Sequence, residues 1–147
     1  MIWYPGVVVA GHGVASGRCK GDQFPGGALA LQQPHFAARG LDISPYYQGT
    51  INVDLAPRRV ELVRPQLTFP LVTWLDGYPA ETFSFANAAV RHGVSDYPAL
   101  VFYPHPETKP EHRQPPGVVE LLAEFIPGIE PGIHGAVGLE AAEMRAV

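Results

Sequence analysis

Glycine and proline interrupt this chain so often that long regular elements have little room. There are 16 of each among 147 residues, spread without a fixed period. That is roughly twice their background share, and it lacks the every-third-residue glycine of a triple helix. Between the breaks lie short runs rich in Val, Leu, Ile and aromatics, a pattern of strands rather than helices. The runs are Gly6 to Ala10, Gly49 to Leu55, Thr68 to Leu75, Thr82 to Phe85, Leu100 to Tyr103 and Val118 to Ile126. Asp76-Gly77 is a strong turn dipeptide between two of them, which predicts a hairpin over residues 68 to 85.

Helix signals are fewer. Pro34 to Gly40 has proline where a first helical turn tolerates it and glycine where a helix ends. A second helix is expected over Phe85 to His92, closed by Gly93, while Gly138 to Val147 reads as a short helix or a frayed tail. Short strands leave exposed edges, and closure removes them. The expected fold is therefore mostly β, a small closed six- or seven-stranded barrel with one or two short helices, in a single domain over residues 1 to 147.

A 46% hydrophobic share against 16% charged residues suits a packed core. With 10 Lys plus Arg against 14 Asp plus Glu, the net charge is −4. No basic cluster exists to displace counterions from a phosphate backbone, so a general nucleic-acid binder is excluded. The longest apolar run, Ala99 to Tyr103, falls far short of the roughly 18 residues of a membrane helix. The start, MIWYPGVVVAGHG, lacks a basic segment and is broken by Pro5, Gly6 and Gly11, unlike a secretory leader. Cys19 is the only cysteine, so no internal disulfide forms and a cytoplasmic location is expected.

Four segments carry possible chemistry. In Gly49 to Leu55 the two-residue strand period sends Ile51, Val53 and Leu55 to one face and Thr50, Asn52 and Asp54 to the other. Three oxygen-bearing side chains in a row suit either a polar outer face or half of a site for Mg²⁺, a hard cation completed by substrate phosphates. Gly11 to Gly21 holds four glycines with Ser16, Arg18 and Lys20, either a solvent loop or a cradle in which backbone N–H groups converge on phosphate. His105, Glu107, His112 and His134 form the only histidine and carboxylate cluster; the spacing matches no zinc motif and suits a polar loop lining a ligand cleft. Glu120 is a lone carboxylate in an apolar strand, so it faces solvent or has a partner.

The order of these segments resembles that of the CTP-dependent riboflavin kinases, a mostly archaeal family of cradle-loop (RIFT-like) β-barrels. Val14-Ala15-Ser16-Gly17-Arg18-Cys19-Lys20-Gly21 is similar to the family's glycine-rich nucleotide loop. Pro45-Tyr46-Tyr47-Gln48-Gly49-Thr50-Ile51-Asn52-Val53 is similar to its strongest signature, a Gly-Thr-Leu-Asn-Val type strand after a proline and an aromatic. Pro106-Glu107-Thr108 before Lys109-Pro110-Glu111-His112 resembles its flavin-side loop, and Val119-Glu120-Leu121-Leu122-Ala123 the strand that follows. Relative to that family, extra residues around Gln23 to Gly27 and Arg113 to Gly117 lengthen two loops.

The resemblance implies transfer of the γ-phosphoryl group of CTP, or another nucleoside triphosphate, to the 5′-hydroxyl of riboflavin, giving FMN. It implies Mg²⁺ held by Thr50 and Asn52. It implies nucleotide contacts from Ser16, Gly17, Arg18, Cys19, Lys20 and Gly21 and from Phe125, Ile126, Pro127 and Gly128, and flavin contacts from Thr108 and Glu120. The other reading is a noncatalytic barrel that binds a nucleotide, flavin or other small ligand, or serves in assembly. The −4 charge means that a polyphosphate site here relies on Mg²⁺, Arg18, Lys20 and backbone donors.

Overall fold

A computed structural model describes residues 1–10, 27–109 and 114–147. The elements run β1 (Ile2–Val9), α1 (Ala28–Ala38), β2 (Ile51–Asp54), β3 (Val60–Leu62), β4 (Leu67–Val72), β5 (Glu81–His92), β6 (Ser95–Pro104), β7 (Val118–Leu122), β8 (His134–Leu139) and β9 (Met144–Ala146). Seven strands form one antiparallel sheet in the order β4-β5-β6-β7-β2-β1-β8. β8 also pairs with β5, Ala88 opposite Leu139 and Val90 opposite Val137, so the strands ring round. β3 and β9 form a separate two-stranded ribbon.

β5 explains how one sheet supports two cores. Its period of two sends Phe83 and Phe85 to one face and Ala86, Ala88 and Val90 to the other. The alanine side joins Val53, Val101, Val119, Leu121, Val137 and Leu139 in the first core. The phenylalanine side packs against α1, with Leu29 and Phe36 meeting Phe69, Val72, Phe102 and Leu122 in the second. Asn52 and Asp54 on β2, and Glu120 on β7, alternate with first-core residues and therefore lie on the outer face.

The predicted hairpin is present as β4 and β5, with Thr68 opposite Ser84 and Gly77 at φ +79 in the tip. Three expectations are corrected. Phe85 to His92 is the second half of strand β5, not a helix, because it gains β6 along its whole length and β8 beside Ala88 to Arg91; pairing overrides the helix propensity of its alanines. The helix begins at Ala28 rather than Pro34. Ala28 to Gln33 are good helix formers, and their propensity with the buried stripe Ala28, Leu29, Gln32 and Phe36 outweighs Pro34 in the interior. Gly40 ends it at φ +94, as expected. Gly138 to Val147 is neither helix nor frayed tail, since it holds the end of β8 and all of β9, tied by Val147 N–H to Arg59 O and Arg59 N–H to Val147 O, both 2.8 Å.

Candidate functional site

Asn52 and Glu120 are cross-strand partners in the β2–β7 ladder. Asn52 is only 7% exposed, so its amide needs partners. Asn52 Nδ2 donates to Thr50 Oγ1 at 3.3 Å and to Thr50 O at 3.4 Å. Its Oδ1 accepts from Gln114 Nε2 at 3.1 Å, and the same nitrogen donates to Glu120 Oε1, also at 3.1 Å. One amide group thus joins strand β2 to the carboxylate of β7. Asp54 turns away from this row, its Oδ1 accepting from Ala56 N–H at 2.9 Å.

Two cavities flank that bridge. One, of about 250 Å³, is lined by Val8, Tyr47, Thr50, Asn52, Phe125 and Ile126 among others. Phe125 is 69% exposed and lies against Tyr47, ring centroids 5.8 Å apart, at the edge of this space. Pro127 and Gly128 form the turn that follows, Gly128 taking φ +81 and Ile129 N–H reaching back to Ile126 O. The other cavity, of about 360 Å³, is lined by Phe102, Tyr103, Lys109, Gln114, Glu120 and Met144 among others. The larger falls within the roughly 300–1,000 Å³ of small-molecule sites and the smaller just below it.

The larger cavity has a structural cause. β6 and β7 share only two registered pairs, Leu100 with Leu122 and Val101 with Leu121. Beyond them, Phe102 to Pro104 on β6 and Val118 to Glu120 on β7 line the cavity instead of each other. The loop leaving β6 is pinned beside it through Thr82. His105 N–H donates to Thr82 O at 2.9 Å, Thr82 N–H donates to Thr108 Oγ1 at 3.0 Å, and Leu71 N–H donates to Thr82 Oγ1 at 3.0 Å. Thr108 Oγ1 also donates to His105 O at 3.2 Å. The Thr108 hydroxyl therefore secures the loop, and the neighbouring Lys109 is the residue that lines the cavity.

A second polar chain has the outline of a nucleophilic triad. Ser84 Oγ lies 2.6 Å from His105 Nε2, and His105 Nδ1 lies 2.9 Å from Glu107 Oε1. A carboxylate only accepts, so Nδ1 carries the hydrogen and Nε2 of the neutral ring accepts from Ser84 O–H. Thr68 Oγ1, 2.7 Å from Ser84 Oγ, extends the chain. Ser84 is 0% exposed in mid-strand, so no substrate carbonyl can approach it, and the chain latches the loop to β5. Glu107 is held below the usual carboxylate range by its own backbone N–H and by His105. His134 opens β8 opposite Val7, His112 lies outside the described residues, and among the described residues no three His, Cys, Asp or Glu side chains gather to hold a metal.

Glu81 is buried and accepts from Trp74 Nε1–H at 3.1 Å. Burial raises its pKa above 4.5, Trp74 and Lys109 counter that, and Glu120 adds to it. A carboxyl with a raised folded pKa contributes stability that is present below its ordinary pKa and lost as pH rises through the raised one. Glu81→Gln, which keeps an acceptor for Trp74, should therefore raise the melting temperature at about pH 8 and leave it nearly unchanged at about pH 4. A melting temperature lowered equally at both would show that the cost at Glu81 is one of packing or hydrogen bonding, independent of its charge. Tyr103, at the cavity, is raised chiefly by burial and then by the charge of Glu107.

Of the residues expected to carry function, Thr50, Asn52, Glu120, Phe125 and Ile126 come together around the β2–β7 pair. Thr108 serves the loop, and Ser16, Gly17, Arg18, Cys19, Lys20 and Gly21 lie outside the described residues. Gln114 was not expected, and Lys109 was expected only as part of the flavin-side loop. The signal for Gln114 is Pro115 after it, which restricts the preceding residue to extended backbone and so stiffens its approach. No protein-family model and no curated protein matches the chain.

Proposed function

We propose that the protein is a Mg²⁺-dependent phosphotransferase of the riboflavin kinase type, built on a closed cradle-loop barrel in the cytoplasm. The observation that carries this reading is the bridge of Asn52, Gln114 and Glu120 between two cavities. A two-substrate transfer needs donor and acceptor in adjoining spaces with a shared polar boundary where the phosphoryl group crosses. The barrel form is supported by β8, which pairs with β1 and β5, so that β1, β2, β5, β6, β7 and β8 each have a neighbour on both sides round the ring, while β4 pairs with β5 as a third neighbour.

The donor nucleotide would enter the smaller cavity, beside Tyr47 and Phe125. Riboflavin would take the larger one, where Phe102, Tyr103 and the prolines offer apolar walls and Glu120, Lys109 and Gln114 offer polar contacts. The riboflavin 5′-hydroxyl oxygen forms a bond to the γ-phosphorus as the bond from that phosphorus to the β,γ-bridging oxygen breaks, the hydroxyl proton passes to water, and FMN and the nucleoside diphosphate result. The hydroxyl oxygen of Thr50 and the amide oxygen of Asn52 are of the kind a hard cation takes. Mg²⁺ held there would supply charge neutralisation for the phosphates, and the protein's own part is chiefly positioning.

The test is incubation of the pure protein with riboflavin, Mg²⁺ and each of CTP, ATP, GTP and UTP. FMN from at least one, with CTP favoured, is expected; no FMN from any of them overturns the reading. Stabilisation by riboflavin or a nucleotide without turnover would instead favour a noncatalytic binding barrel, since a ligand of the native state raises the melting temperature by mass action.

A further inference from the structure

We infer that the larger cavity selects anionic ring compounds over neutral ones, with the Lys109 ammonium as its main anion contact and the Arg59 guanidinium as a second. Phe102, Tyr103, Pro104, Pro106, Pro115 and Pro116 give it flat apolar walls, and Lys109 and Arg59 are the cations among its described lining residues. Lys109 is half-buried, yet among the described residues its ammonium makes no hydrogen bond or ion pair, and Glu81 acts on it through space. A half-buried cation without a partner favours a ligand that brings one. Arg59 is exposed on the same wall, and among the described residues its guanidinium is also uncommitted. Arg58, by contrast, lies over the Tyr4 ring, Arg91 pairs with Asp96 and Arg145 pairs with Glu61. Glu120 is the one carboxylate among the described lining residues, and it accepts from Gln114. The chain has a net charge of −4, but along this wall cations outnumber carboxylates.

Both cations stand on fixed backbone. Lys109 N–H and Thr108 N–H each donate to His105 O at 3.1 Å, and the His105 ring is held by Ser84 Oγ at 2.6 Å. Arg59 is tied to Val147 by two backbone bonds of 2.8 Å, so the loop after β6 and the chain entering β3 present charge to one cavity. Donors held in place beforehand bind an anion at a smaller ordering cost. The anion class is a carboxylate or a phosphate monoester, both of which accept from an ammonium and a guanidinium. For turnover the inference rests on the phosphotransferase reading. Riboflavin is neutral and FMN is a phosphate monoester, so the product binds more tightly than the substrate and its release limits the steady-state rate. The charge preference itself does not need that reading.

Two matched pairs are the probes, riboflavin against FMN and naphthalene carboxamide against naphthalene carboxylate. Each is titrated by calorimetry into the full chain without metal or nucleotide. The wild type is expected to bind FMN at least about tenfold more tightly than riboflavin, the scale of one hydrogen bond to a charged group, and the carboxylate more tightly than the carboxamide. Lys109→Met, which keeps the length of the side chain, should remove most of the preference, and Lys109→Arg should keep it. Raising the salt from about 0.05 M to about 0.5 M should shrink the preference in the wild type. Circular dichroism confirms the fold of each variant; if Lys109→Met does not fold, Arg59→Gln, expected to reduce the preference, decides. If neither flavin binds, the flavin reading falls and the naphthalene pair decides. No anion bound by the wild type, equal affinity for an anion and its neutral partner, or an unchanged preference in the deciding variant each overturns the inference. FMN formation from riboflavin, CTP and Mg²⁺ is assayed alongside. The charge preference without turnover leaves the anion site standing and removes the kinase reading; turnover with riboflavin bound as tightly as FMN does the reverse.

Discussion

Asn52→Ala is expected to lower Mg²⁺-dependent FMN formation by about 10²–10³-fold, the scale on which loss of one preorganised electrostatic contact acts in a transition state. The change removes a side chain that hydrogen-bonds to both Thr50 and Gln114. Gln114 keeps Glu120 as an acceptor, so the structural cost stays near the roughly 1–3 kcal/mol of a lost buried hydrogen bond. Initial rates at saturating Mg²⁺, with circular dichroism to confirm the fold, check both statements. A folded variant with wild-type rates would show that Asn52 lies outside the chemistry.

Phe36→Ala should cost about 3–5 kcal/mol of folding stability, the usual scale for removing a fully buried phenylalanine. Phe36 is 0% exposed and stands among Phe69, Phe83, Phe85 and Phe102 at centroid distances of 6.0, 5.0, 5.2 and 6.3 Å. Two of these contacts are edge-on to β5 rings, a favoured aromatic geometry beyond the area buried. Denaturation in urea measures the loss. A cost below about 1 kcal/mol would mean that α1 does not anchor the second core. Because Phe102 also lines the larger cavity, the helix layer supports the wall on which the acceptor is proposed to rest.

The contrast between Phe85 to His92 and Gly49 to Leu55 shows what local sequence can tell. In Gly49 to Leu55, β-branched alternation is strict, and Val53 and Leu55 do reach the core while Thr50 and Asn52 face the other way. That pattern needs no knowledge of neighbours. Phe85 to His92 is rich in alanine, a helix former, and becomes strand only because β6 and β8 present edges on either side of it, information that lies far away in the chain. β8 and β9 were missed for the same reason. Gly135 and Gly138 weaken the strand signal, yet the first sits against Arg91 O and the second beside Trp3 and Met1, where a Cβ would meet atoms at 2.6 and 2.4 Å.

The site divides in the same way. Glu120 was legible as a carboxylate that needs a partner, because an apolar strand on both sides makes an isolated charge costly. Its partner Gln114 lies only six positions away, but that the same amide also reaches Asn52, across 62 positions, is information only the fold supplies. Ser84 gave no signal at all; a serine between two phenylalanines in a strand reads as surface, and only the Thr68, His105 and Glu107 side chains around it explain its burial.

The central claim is that donor and acceptor occupy the two cavities on either side of Asn52, Gln114 and Glu120. A crystal structure of the protein grown or soaked with CDP, FMN and Mn²⁺, with the metal located by its anomalous signal, tests it most directly. The account predicts CDP beside Phe125, FMN between β6 and β7, and the Mn²⁺ peak at Thr50 and Asn52. FMN or CDP bound elsewhere on the molecule would contradict it.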